Sequence, residues 1–151
     1  MKQIYLAGFD VFAPDAVQRG VKMKLMCAEK GFAGLYPFDN EADTAPAIFE
    51  GNCALIDRAD VVIANLDPFR GDEPDSGTCF EVGYAFAKGK AVYGYVSDVR
   101  TMREKMGERD AAGFAVENWG LPLNLMLSCA AKIVEGDFAA ALAACAEEMR
   151  T

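Results

Sequence analysis

The chain predicts a single α/β domain: a three-layer α/β/α sandwich around a mostly parallel sheet of about five strands. Three observations predict it. Short β-rich apolar runs alternate with helix-length segments from one end to the other, the spacing of parallel strands joined by right-handed crossovers. With 151 residues, 52% hydrophobic and 25% charged, the composition is globular and the length suits one domain with a substantial core. No internal repeat, linker or low-complexity stretch divides residues 1–151.

The elements follow in order. Lys2–Ala7 is a buried first strand ending at Gly8, and Pro14 marks a helix start. Asp15–Lys30 carries apolar residues at Val17, Val21, Leu25 and Ala28 and stops at Gly31, a first helix. Phe32–Tyr36 is a second strand closed by Pro37. Asp39–Pro46 is a polar loop with Thr44 placed to cap a second helix, Ala47–Arg58, and Pro46 in its first turn. Asp60–Leu66 is a third strand. Asp67–Asp75 is a loop dense in Pro, Gly and acids, and Ser76–Lys88 is a third helix closed by Gly89. Ala91–Val96 is a fourth strand. Asp98–Gly107 reads as a short helix, Glu108–Gly120 as an irregular insertion, and Leu121–Ala131 as a helix beginning at Pro122. Lys132–Glu135 is a short fifth strand, and Asp137–Arg150 an Ala-rich terminal helix. This is a flavodoxin- or Rossmann-like pattern, in which ligands bind outside the carboxyl ends of the strands.

Composition excludes several functions. The net charge of −8 disfavours nucleic acid and anionic membranes as partners. No apolar run is long enough to span a bilayer, and the amino terminus reads directly into a strand with no signal peptide. Five scattered Cys without a C-x-x-C pair suit reduced thiols in the cytoplasm. With no histidine, Ser-His-Asp and Cys-His systems are excluded and a zinc site is not expected. No Gly-rich phosphate fingerprint follows any strand, so no cofactor is expected. Acid–base work falls to carboxylates, Tyr, Lys or Cys.

One residue stands out against this background. From Gly77 to Ala87 the only charge is Glu81, flanked by Cys79, Phe80, Val82, Tyr84, Ala85 and Phe86. A helix apolar all round reads as buried, and a buried carboxylate is costly unless paired, with a displaced pKa. Such groups cluster at functional sites. Two structural readings compete: a capping box Thr78-x-x-Glu81 and a buried ion pair.

The residues resemble the nucleoside 2-deoxyribosyltransferases. The specific block is Asp75-Ser76-Gly77-Thr78-x-x-Glu81-Val82-Gly83-Tyr84. Around it stand Tyr5-Leu6-Ala7-Gly8 with Asp10-Val11-Phe12, Asn52 with Asp60, and Leu121-Pro122-Leu123-Asn124-Leu125-Met126. The resemblance implies an enzyme of nucleotide salvage that needs neither metal nor cofactor. It implies Glu81 as nucleophile, Asp75 as the carboxyl that shuttles the proton of the base, and Tyr5 as the hydroxyl that holds the nucleophile. It further implies that Asn124 and Met126 close the pocket of a neighbouring subunit, hence a homo-oligomer. Asn52 falls where some members carry an Asp on the sugar hydroxyls. Gly8, Asp10, Phe12 and Gly77 complete the expected substrate contacts.

The implied chemistry is transfer of 2-deoxyribose between free nucleobases and deoxynucleosides with retention, through a covalent ester on Glu81, by the two-carboxylate logic of retaining glycosidases. Two alternatives use the same scaffold. A hydrolase of deoxynucleoside 5′-monophosphates would pass the same intermediate to water, and a binding domain would recognise nucleotides without turnover.

Overall fold

The computed structural model describes residues 1–150. Five parallel strands, β1 (Gln3–Ala7), β2 (Ala33–Leu35), β3 (Val61–Asn65), β4 (Ala91–Val96) and β5 (Lys132–Glu135), form one sheet in the order β2-β1-β3-β4-β5. Helices α1 (Ala16–Glu29), α2 (Ala45–Arg58), α3 (Ser76–Ala87), α4 (Met102–Met106), α5 (Leu125–Ser128) and α6 (Phe138–Arg150) complete the three layers. The strand order places the topological switch between β1 and β3, where the connections leave toward opposite faces and open a crevice at the strands' carboxyl ends.

Alternation along the strands divides the core. Ile4 and Leu6 of β1 pack with Met23 and Cys27 of α1 and with Phe138, Leu142 and Cys145 of α6. Tyr5 and Ala7 point the other way, toward Leu55 and Ile56 of α2 and Val82 and Ala85 of α3. The crevice lies on this second side.

A polar relay fixes the strand ends around it. The Asn65 amide donates to Asp10 Oδ1 (3.2 Å), and Arg19 closes the other carboxylate oxygen (3.1 Å). Asn65 Oδ1 accepts from the Asp67 backbone (3.1 Å), and Asp67 accepts from the Ser97 backbone (2.7 Å). Gly8 permits the crossing, because a Cβ there would stand 2.7 Å from Asp10 Oδ1 and 2.8 Å from Asn65 Cβ.

The structure corrects three expectations. In α1, the Val17, Val21 and Leu25 stripe faces solvent, with exposures of 62, 55 and 60%. The buried face is Ala16, Gly20, Met23 and Cys27, small enough for the helix to lie close on the sheet, with Gly20 under the Tyr36 ring. Helix α3 is not buried all round: Phe80 and Phe86 are exposed while Thr78, Val82 and Ala85 are buried. The helix expected over Leu121–Ala131 shrinks to α5, since Asn124 caps it by accepting from the Met126 backbone at 2.9 Å. By contrast, Thr44 does cap α2, accepting from the Ala47 backbone at 3.4 Å, and β5 runs over Lys132–Glu135.

Candidate active site

The third helix begins at a carboxylate. Asp75 is its N-cap, and its Oδ2 accepts both the Thr78 backbone N–H (3.1 Å) and the Thr78 hydroxyl (2.9 Å). With Asp75 as the N-cap, the capping box Thr78-x-x-Glu81, one of the two competing structural readings, is not formed, and Glu81 has no capping duty. One turn on, Glu81 leans over β1, where the Tyr5 hydroxyl donates to its Oε2. Tyr5 is fully buried, and its phenol is held far above its ordinary pKa by burial and by the Glu81 charge. Burial pushes the Glu81 carboxyl up to about 7, the Tyr5 hydrogen bond pulls it down, and the Asp75 charge raises it. The Asp75 charge is thus felt at Glu81, and both side chains line the same space.

Both open into a cavity of about 540 Å³, a volume suited to a small organic ligand. The floor is Glu81 with Asp75 and Gly77 at the start of α3. One wall is Asn52, Cys53, Ile48 and Phe49 of α2, and the other is Gly8, Val11 and Phe12 after β1. Asp75 lines the space with both Thr78 contacts on Oδ2, which leaves Oδ1 without a partner among the described hydrogen bonds. Aromatic rings crowd the mouth. Phe49 and Phe80 meet at 5.5 Å, and Phe12 stacks on Phe69 at 5.6 Å, itself stacked on Phe9 at 4.8 Å. The Arg70 guanidinium lies over Phe69 (4.5 Å) and Phe12 (5.0 Å).

Of the residues singled out from sequence, Glu81, Asp75, Gly8, Phe12, Asn52 and Gly77 line this cavity, with Tyr5 directly beneath. Asp10 does not line it; its carboxylate is committed to Asn65 and Arg19 behind Gly8. Asn124 and Met126 also stand apart from it, exposed at α5, with Met126 at 73%. The lining adds Phe38, Asn40, Ile48, Phe49, Cys53 and Phe80. A signal for the α2 members lay in the sequence: Ile48, Phe49, Asn52, Cys53 and Ile56 fall on one helical face, mixing apolar with polar groups as a ligand wall does.

The fold and the site together define an α/β domain of flavodoxin strand order with two carboxyls at an aromatic crevice. Residues 4–126 match the profile of the nucleoside 2-deoxyribosyltransferases, and the chain belongs to that family. It is similar to a structure of a 2-deoxyribosyltransferase from Leishmania mexicana, with 42% identity, a TM-score of 0.89, and coverage of 97% of this chain and 98% of that one. It is 38% identical over 113 residues to an uncharacterized protein of Schizosaccharomyces pombe, across 68% of this chain and 54% of that protein, so it spans about half the length of that relative. A CMP N-glycosidase from Clostridium botulinum shares the fold, at 18% identity and a TM-score of 0.58, over 99% of this chain and all of the other.

Proposed function

We propose that this protein transfers 2-deoxyribose from a deoxynucleoside to a free nucleobase through a covalent ester on Glu81. The observation that carries the reading is the Glu81 carboxyl, held from below by Tyr5 and coupled to Asp75 at the floor of an aromatic cavity. The likeness to the Leishmania 2-deoxyribosyltransferase supports it.

In the ionised form, one Glu81 oxygen attacks the anomeric carbon while Tyr5 retains the other. The C–N bond breaks, its electron pair leaves with the base, and Asp75 delivers a proton to the departing nitrogen. The second base then attacks the ester from the side the first one left. Its nitrogen takes the sugar, its proton returns to Asp75, and Glu81 is freed, with net retention. Phe12, Phe49 and Phe80 offer apolar faces to the base, and Asn52 a polar group to the sugar. Asn124 and Met126, exposed on α5, serve the cavity of a second copy in a homo-oligomer.

The test is one incubation of deoxyinosine with adenine, comparing wild type and Glu81→Gln. The expected result is deoxyadenosine from wild type alone. Hypoxanthine with free deoxyribose and no new nucleoside would replace the reading with hydrolysis. Binding of deoxynucleosides with no turnover of these or of deoxynucleoside monophosphates would replace it with a binding domain.

A further inference from the structure

We propose that Asn40 is a positioning residue that sets the polarity of the cavity wall at position 52, so that Asn52 turns its amide N–H groups toward the ligand. The inference rests on the reading of the cavity as a deoxynucleoside site, and it names a residue outside the two carboxyls and their tyrosine.

Asn40 sits in the loop before α2, and its side chain can point only one way. Its Nδ2 donates to the Ile48 carbonyl (3.0 Å), and its Oδ1 accepts from the Ala42 backbone (3.2 Å). A flipped amide would set N–H against N–H and oxygen against oxygen, losing both bonds. With Nδ2 so placed, its second hydrogen is directed at Asn52 Oδ1, 3.5 Å away. The carbonyl of Asn52 is thereby turned to Asn40, which leaves its amide hydrogens, without a partner among the described hydrogen bonds, for the cavity that both residues line. Position 52 becomes a donor, suited to the lone pairs of a sugar oxygen. It also adds no third negative charge beside Glu81 and Asp75.

Gly51 explains how Asn40 comes so near. It lies mid-way along α2, where glycine weakens a helix. A Cβ there would stand 2.1 Å from Asn40 Nδ2 and 2.6 Å from its Oδ1, and would meet nothing but that amide within its closest contacts. The glycine keeps open the place the amide occupies.

That geometry yields a substitution that separates stability from activity. Gly51→Ala gains helix propensity but forfeits the Asn40 bonds to Ile48 and Ala42, so Tm is expected to shift by no more than about 2 °C. By displacing Asn40 it is expected to lower kcat/KM for base exchange about tenfold, the worth of one hydrogen bond. Asn40→Ala should cause a similar loss, and should cause none when Asn52 is already Ala, since the two act as one unit. Asn40→Asp, which cannot donate, should turn the Asn52 amide over and cost more than Asn40→Ala. Full kcat/KM in Gly51→Ala, or losses that add in the Asn40→Ala, Asn52→Ala double variant, would overturn the proposal. The same variants are titrated with deoxyinosine by calorimetry. If wild type binds without exchanging bases, the transfer reading falls while the Kd cycle still decides the role of Asn40: coupled losses support it and additive losses sink it. If wild type neither exchanges nor binds, both fall.

Discussion

On one side of β1, Ile4 and Leu6 meet Met23, Cys27 and Leu142 in an apolar layer. On the other side, between those two residues, Tyr5 is just as deeply buried but gives its hydroxyl to a carboxylate. The first side is close-packed and contributes stability through apolar area. The second spends burial on raising an acid to about 7. A single strand thus serves two opposed ends, and period-two alternation is what keeps them apart.

The contrast breaks most visibly at Glu81. Glu81→Gln is expected to lower base exchange by at least about a thousandfold, as loss of a nucleophile does. It should also stabilise the fold, with a definite pH dependence. The carboxyl is raised from 4.5 to about 7, so the folded chain holds its proton more tightly than the unfolded one. The cost is absent below pH 4.5, grows as pH rises through 7, and is full above that, reaching about 3 kcal/mol. Denaturant titrations at pH 4.5 and pH 8 should show the variant gaining on wild type only at pH 8. Leu142→Ala on the opposite face should do the reverse. It should cost about 2–5 kcal/mol by leaving a cavity, with kcat/KM unchanged at temperatures where the variant is folded.

Two smaller effects sharpen the comparison. Tyr5→Phe should lower kcat/KM about 10–100-fold, the cost of an unmade hydrogen bond to a charged group. Because the Tyr5 bond lowers the Glu81 pKa, its loss should move the acid limb of the pH–kcat/KM profile from about 7 to higher pH. An unmoved limb would mean that Glu81 is not the titrating base. Gly20→Ala brings a Cβ to 2.7 Å from the Tyr36 ring and should cost about 1–3 kcal/mol by overpacking, again without a change in pH profile.

The sheet was readable because strand-length apolar runs and Gly or Pro stops recur at βα spacing, and the strand segments match closely. The facing of α1 was not, because two stripes compete there. The larger residues, Val17, Val21 and Leu25, lose to Ala16 and Gly20, whose smallness lets the helix approach the sheet. Glu81 was readable because one charge stands alone in an apolar stretch, and Tyr5 because a motif accompanies it. Asn40 and Phe38 were not: nothing local marks a loop amide or an exposed ring as a wall until the fold brings that loop against α2. Asp10 is the ambiguous case, since a carboxylate after β1 suits a ligand as well as it suits Asn65 and Arg19, the two partners that hold it here.

The cysteines give the two faces a chemical clock. Cys27 and Cys145 lie fully buried in the apolar layer, and burial pushes their thiols up to about 12 and about 11, so an alkylating reagent reaches them only when that layer opens. Cys53 lines the cavity and should be shielded whenever a deoxynucleoside fills it. Alkylation followed residue by residue by mass spectrometry would therefore time two separate events in one molecule, occupancy of the crevice and melting of the layer behind it.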